Sequence, residues 1–160
     1  MKINELILLM LFSVISIVTH ASDVKLTSPD GNITAEIILR EKIYYTVLFK
    51  NERVLEASPI SLTIGDRVLG ANPELVSSNT GTTDTSLATV WGSRKKIRDY
   101  YNQLTLNFNG DFSVEFRAYN TGIAYRFVTR LKDKQVTVKT EEVAFHFKFG
   151  VSAWMLDSKS

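Results

Sequence analysis

No cysteine occurs among the 160 residues, and proline appears only three times. For a chain that carries an export leader, the missing cysteine excludes a disulfide framework, a thiolate zinc site and a lipid-modified N-terminal cysteine. Packing alone must therefore hold the domain together. An excess of charge is missing too: the formal net charge is +2, which gives no electrostatic case for nucleic acid or an anionic membrane. Histidine is limited to His20 and His146, and there is no Gly-x-Ser-x-Gly, no phosphate loop and no paired metal motif. An exported chain without cysteine suits a bacterial periplasm better than an animal extracellular space.

What is present begins with an address. Lys2 gives a short positive start, Leu6 to Val18 is an apolar run broken only by Ser13 and Ser16, and Thr19-His20-Ala21 offers small residues at the first and third places before a cut after Ala21. This is the layout of a secretory signal peptide. The run is 13 residues, whereas a membrane span needs roughly 20. We therefore expect residues 1–21 to be a signal peptide and residues 22–160 to be one soluble domain, periplasmic or secreted.

Strand signals run through the mature sequence. Val24 to Ser28 alternates, and Pro29-Asp30-Gly31-Asn32 supplies a turn. Ile33 to Leu39 and Ile43 to Lys50 are β-branched and aromatic runs around the charged tip Arg40-Glu41-Lys42, the pattern of a hairpin. Arg53 to Glu56 follows, and Pro59 is expected to open a separate strand, Ile60 to Ile64, where its missing N–H costs least. Asn79 to Thr85 is polar and small, which reads as a long exposed loop. Strong alternation returns in Leu104 to Phe108, Phe112 to Tyr119, Ile123 to Arg130, Val136 to Lys139 and Ala144 to Phe149. No window has sustained helical spacing of apolar residues. Short strands at this turn spacing argue an all-β sandwich.

One hairpin permits a register. The apolar side of Phe112 to Tyr119 is Phe112, Val114, Phe116 and Ala118, and that of Ile123 to Arg130 is Ile123, Tyr125 and Phe127. Opposed residues share a face, so even numbers must meet odd ones. A four-residue loop Tyr119 to Gly122, with Gly122 in the left-handed conformation, satisfies that parity. It places Phe116 opposite Tyr125 and Val114 opposite Phe127 inside, and Glu115 opposite Arg126 outside.

The segment Phe116 to Phe127, reading FRAYNTGIAYRF, resembles the signature hairpin of the N-terminal domain of glycoside hydrolase family 97. Trp91-Gly92 with Ile97 to Leu104 is similar to a second block of that domain. Leu26 to Gly31, and Glu141 to Phe147 with Ala153-Trp154, fit as the opening and closing blocks in order. Thr121 and Gln103 depart from the pattern, standing where acidic residues are usual. The resemblance implies an antiparallel β-super-sandwich of the galactose mutarotase-like kind, incomplete at its C-terminal end, that packs on a (β/α)₈ catalytic barrel beyond this chain. It also implies α-glucosidase or α-galactosidase activity in the intact enzyme, with calcium at an active site whose ligands lie beyond residue 160. No cofactor is expected within this chain.

The residues agree that no catalysis resides here. Glycoside cleavage needs two flanking carboxyl groups. The candidates Asp111, Glu115, Glu141 and Glu142 are better explained structurally: Glu115 as the partner of Arg126, and Glu141 and Glu142 as neighbours on opposite strand faces. His146 has no companion for a triad or a metal site. Asp30-Gly31-Asn32 is a turn rather than a calcium loop, and Asn32-Ile33-Thr34 is a chance sequon. The basic stretch Arg94 to Arg98 reads first as a solvated loop. Its aromatic surroundings make Trp91, Arg98, Tyr101 and Asn102 the candidates for carbohydrate or barrel contact, since aromatic faces stack on sugars while Arg and Asn bond hydroxyls. The functional expectation is a non-catalytic, carbohydrate-associated domain that docks on a barrel. Its rivals are an independent carbohydrate-binding module and a structural sandwich without ligand.

Overall fold

A computed structural model describes residues 23–88, 96–132, 135–152 and 154. These residues form ten strands and no helix, arranged as two antiparallel sheets. The first sheet has the order β1 (Val24–Thr27), β2 (Ile33–Leu39), β3 (Ile43–Phe49), β4 (Glu52–Ile64) and β10 (Val138–Val143), with the short β5 (Arg67–Leu69) also paired to β4. The second has the order β6 (Leu75–Ala88), β7 (Lys96–Phe108), β8 (Phe112–Tyr119) and β9 (Gly122–Thr129). The expected all-β sandwich is what forms.

The sheets face one another through the apolar side of each alternation. Ala35, Ile37, Ile43 and Ile60 from the first sheet and Leu104, Leu106, Val114, Phe116 and Ala118 from the second are fully buried in one cluster. Tyr45 of β3 spans the layers, with its ring 6.1 Å from Phe116 and 5.7 Å from Tyr125. Burial raises the phenol of Tyr45, and it pushes Tyr125 up to about 12. Both rings therefore remain neutral core members at physiological pH.

The β8–β9 register is the one parity demands: Val114 opposite Phe127, Glu115 opposite Arg126, Phe116 opposite Tyr125. The turn itself is tighter than expected. Tyr119 pairs with Gly122, leaving only Asn120 and Thr121 between them, and Gly122 does not adopt positive φ. Loops of two and four residues preserve the same parity, so side-chain pattern alone does not separate them.

Four further expectations are corrected. Residues Asn79 to Thr85 are not a loop but the middle of β6, which pairs with β7 from Leu75 to Ala88. As an edge strand with nearly every side chain exposed, β6 has no apolar face to advertise itself, and the backbone ladder holds it. Lys96 to Arg98 likewise belong to β7 instead of a solvated loop, while Arg94 and Lys95 lie outside the described residues. Pro59 does not open a strand. It sits within β4 beside an irregularity where Tyr45 pairs with Ser58 but Val47 with Leu55, and bulges are where a strand tolerates proline. Finally, Val136 to Lys139 and Ala144 to Phe149 are replaced by a single strand, β10. Beyond Val143 the regular ladder gives way to a bridge from Phe147 to Leu55 and to bonds between His146 and Glu56, Ala57 and Ser58, beside the irregularity in β4.

Gly70 ends β5 at φ 94°, and a β-carbon placed there would lie 3.0 Å from the Ile60 carbonyl. Its own carbonyl accepts from Ile43 N at 3.2 Å, so the backbone has no freedom to retreat. Gly70→Ala is expected to lower stability by about 1–3 kcal/mol, and Phe116→Ala by about 3–5 kcal/mol. Urea denaturation of both variants checks this, and a smaller loss for Phe116→Ala than for Gly70→Ala would contradict the packing described.

Candidate functional site

Strand alternation divides the residues singled out from the sequence. On β7, Leu104, Leu106 and Phe108 point into the core, so Arg98, Tyr100 and Asn102 share their face, and Tyr101 lies on the opposite, outer face. The four candidates are therefore not one surface. Period-two spacing alone separates Tyr101 from Arg98 and Asn102, a signal available in the sequence. Trp91 lies outside the described residues.

Arg98 and Tyr100 occupy the stretch of β7 that precedes the buried residues. The Arg98 guanidinium lies 4.2 Å from the Tyr100 ring centre and donates twice to Asp84 of β6, at 2.7 Å each. The pairing holds the Asp84 carboxyl below the usual carboxylate range and raises Arg98. Arg98 stays largely exposed, so it presents an ion-paired guanidinium over an aromatic face.

Asn102 is engaged inside the domain. Its Nδ2 donates to the Thr27 carbonyl at 2.8 Å, and its Oδ1 accepts from Thr82 Oγ1 at 2.7 Å. It thereby ties β7 to the edge strand of the other sheet. A cleft of about 280 Å³ adjoins it, lined by Lys25, Leu26 and Thr27 of β1 and by Thr80, Gly81 and Thr82 of β6. Close by, Asn120 Oδ1 accepts from Asp30 N at 3.1 Å, and Asp30 in turn organises its own loop by accepting from Ser28 Oγ and Asn32 N. Those bonds hold the Asp30 carboxyl below its usual range, Ser28 contributing most. Three separate stretches of sequence, around Asp30, Asn102 and Asn120, thus meet at one end of the sandwich.

Tyr101 is buried, at 6 % exposure. Its ring is covered by the Arg117 guanidinium at 4.4 Å and by Tyr119 at 5.1 Å, leaving no open face for a sugar.

The acidic candidates lie in separate surroundings. Glu115 accepts from Arg126 Nε at 2.6 Å. Asp111 occupies a turn at φ 62°, and Glu141 is exposed. Glu142 forms a contact that sequence reasoning missed: it accepts from Lys42 Nζ at 2.7 and 3.0 Å and from Ser61 Oγ at 2.9 Å, linking β10 to β4 and the β2–β3 tip. Nothing in the local pattern signals it, because the partners are 81 and 100 residues away. His146 Nδ1 lies 2.9 Å from the Ala57 carbonyl and therefore carries the proton, the arrangement of an edge contact. Among the described residues no three His, Asp or Glu side chains converge as a metal site.

The remaining feature is apolar. Past β10 the chain exposes Phe145 and Phe147, stacked at 6.4 Å, and leaves Phe149 and Trp154 essentially uncovered. Val136, Val138 and Val143 add to the exposed apolar surface of the same C-terminal stretch.

Comparison with known proteins accords with this architecture. Residues 26–160 match the glycosyl-hydrolase 97 N-terminal family model. A retaining alpha-galactosidase of Bacteroides thetaiotaomicron is 37% identical over 129 residues, spanning 80% of this chain but 19% of that enzyme. Among solved structures, a glycoside hydrolase family 97 enzyme variant from Pseudoalteromonas sp., in complex with panose, superposes with a TM-score of 0.70 at 22% identity, over 79% of this chain and 20% of the other. A beta-arabinopyranosidase gives 0.72 at 23% identity, over 79% and 22%. At such identities the superpositions speak for the fold. The chain spans about a fifth of the length of the relatives it matches.

The Glu142 contact carries a pH signature. Lys42 and then Ser61 lower the Glu142 carboxyl from its ordinary 4.5. A depressed carboxyl contributes stability that is complete above its unfolded-state value and disappears as pH falls through the folded-state value. Glu142→Gln should therefore be less stable than the parent chain at neutral pH, with the gap closing as pH is lowered below about 4.5. Denaturation midpoints measured from pH 7 to pH 3 test this, and a gap that stays constant across the range would refute the linkage.

Proposed function

Since the chain belongs to glycoside hydrolase family 97 and corresponds to its N-terminal domain, we propose that it serves as a non-catalytic support that docks on the catalytic domain of such an enzyme. The catalytic domain of the relatives lies outside the matched region, and the 160 residues amount to part of a glycoside hydrolase rather than an enzyme. The observation that carries the docking reading is the exposed apolar stretch Phe145, Phe147, Phe149 and Trp154. Elsewhere among the described residues the exposed large apolar groups, such as Phe49, Val68, Val76, Leu87 and Ile97, lie singly along the chain, whereas four aromatics gather here, and an aromatic surface of this kind marks an interaction site.

The parent reaction is proposed to be cleavage of an α-galactoside or α-glucoside, supported by the retaining alpha-galactosidase among the relatives. Export to the periplasm, with cleavage after Ala21, is supported by the leader pattern in residues 1–21, which lies outside the described residues. The calcium expected of the full-length family is proposed to be held by residues outside this chain. Direct carbohydrate contact is the second reading. It is favoured by the Arg98 guanidinium stacked on Tyr100, on the same face of β7 as Asn102 and its polar cleft.

Docking is tested by mixing the chain with a separately produced catalytic domain of a family 97 enzyme and measuring co-elution by size exclusion. The intact chain should co-elute, and Phe147→Asp with Phe149→Asp should weaken the complex by about 2 kcal/mol or more, as for anchors in an interface. Absence of any complex with the intact chain, together with a saturable response to an α-galactoside in calorimetry, would replace docking by the carbohydrate-binding module reading.

A further inference from the structure

The outer face of the second sheet holds a polar depression that neither docking through the aromatic stretch nor the Asn102 cleft uses. It has a volume of about 140 Å³ and is lined by Glu115, Arg117, Tyr119, Ala124, Tyr125 and Arg126. Its floor follows from strand register. Arg117 on β8 lies between Gln103 of β7 and Ala124 of β9, and the lone methyl of Ala124 leaves open the space a longer side chain would fill.

Two guanidinium groups and one carboxylate border this depression. Arg126 is matched to Glu115 at 2.6 Å. Arg117 has a different environment. Its guanidinium rests on the Tyr101 ring at 4.4 Å, and its Nε donates to the neutral Gln103 Oε1 at 3.3 Å. Among the described residues no carboxylate comes within ion-pair distance of Arg117, whose other polar partner is the Tyr119 hydroxyl. An arginine fixed by stacking and by bonds to Gln103 and Tyr119 still retains, among its five N–H donors, those that can meet a planar carboxylate. Because the side chain is already held by the aromatic platform, less conformational entropy is lost when it binds.

We propose that Arg117 is the centre of a carboxylate-binding site on the outer face of β7, β8 and β9. The depression admits a carboxylate head but is too small to enclose a whole sugar ring, so the group arrives either on an acidic sugar residue or on an acidic protein side chain. Gln103 supplies an internal control. Replacing its amide by an isosteric carboxylate places a negative oxygen where Arg117 Nε already donates, and the site would then be filled from within.

The test uses the full chain with ¹⁵N-labelled arginine side chains, the Arg117 Nε–Hε resonance being identified by its loss in Arg117→Lys. Sodium acetate is titrated at constant ionic strength against sodium chloride. The Arg117 signal is expected to shift saturably with acetate and not with galactose. In Gln103→Glu the acetate affinity should fall by at least about tenfold, the factor carried by a charge-assisted hydrogen bond. Glucuronate binding tighter than acetate assigns the site to an acidic sugar, and equal affinities assign it to a protein carboxylate. An Arg117 response to acetate no larger than that to chloride, or an equal response in Gln103→Glu, overturns the proposal.

Discussion

The contact between the two sheets is the constraint from which the remaining features follow. Tyr45 reaches across from β3 to Phe116 and Tyr125, while Ile37, Ile43 and Ile60 meet the Leu104, Leu106 and Val114 side of the second sheet within one buried cluster. With no cysteine in the chain, this apolar interface and the strand ladders supply the cohesion. Burial is worth roughly 25 cal/mol per Å² of apolar surface, so rings of this size dominate the cohesion. A slip of one residue in β8 or β9 would turn Phe116 and Tyr125 to solvent and Arg117 and Arg126 into the core. The same parity that secures the core therefore sets Arg117 beside Ala124 and Glu115 beside Arg126 on the outside.

Polar side chains finish what the apolar core begins. Asn102 and Asn120 hold the β1–β2 connection to the second sheet through Thr27 and Asp30. Lys42, Ser61 and Glu142 attach β10 to the first sheet. Exposed ion pairs such as Arg98 with Asp84 are screened by solvent, so they orient their strands more than they stabilise them. The consequence for function is a domain stitched closely at the Asp30 end yet open along its C-terminal aromatic stretch. That stretch has the aromatic composition of an interface core.

Fold class, the β2 limits and the β8–β9 pairing were legible because each rests on one buried face and one exposed face. Where that contrast fails, the reading failed. β6 has no buried face, so its polar run looked like a loop. The two expected strands after Val136 merged into β10 because partnership with β4, and the irregularity around Ser58, decided where the ladder ran. The grouping of Tyr101 with Arg98 and Asn102 overlooked an alternation that the same argument had used successfully in the next hairpin.

From sequence alone came the all-β architecture and the parity of its central hairpin, since these depend on local periodicity and on which residue types are present. Tertiary structure alone decided that Glu142 meets Lys42 and Ser61, that Asn102 is engaged by Thr27, and that Arg117 covers the Tyr101 ring. Those contacts join residues far apart along the chain or across neighbouring strands. Their partners are chosen by how sheets pair and pack, which no local pattern encodes.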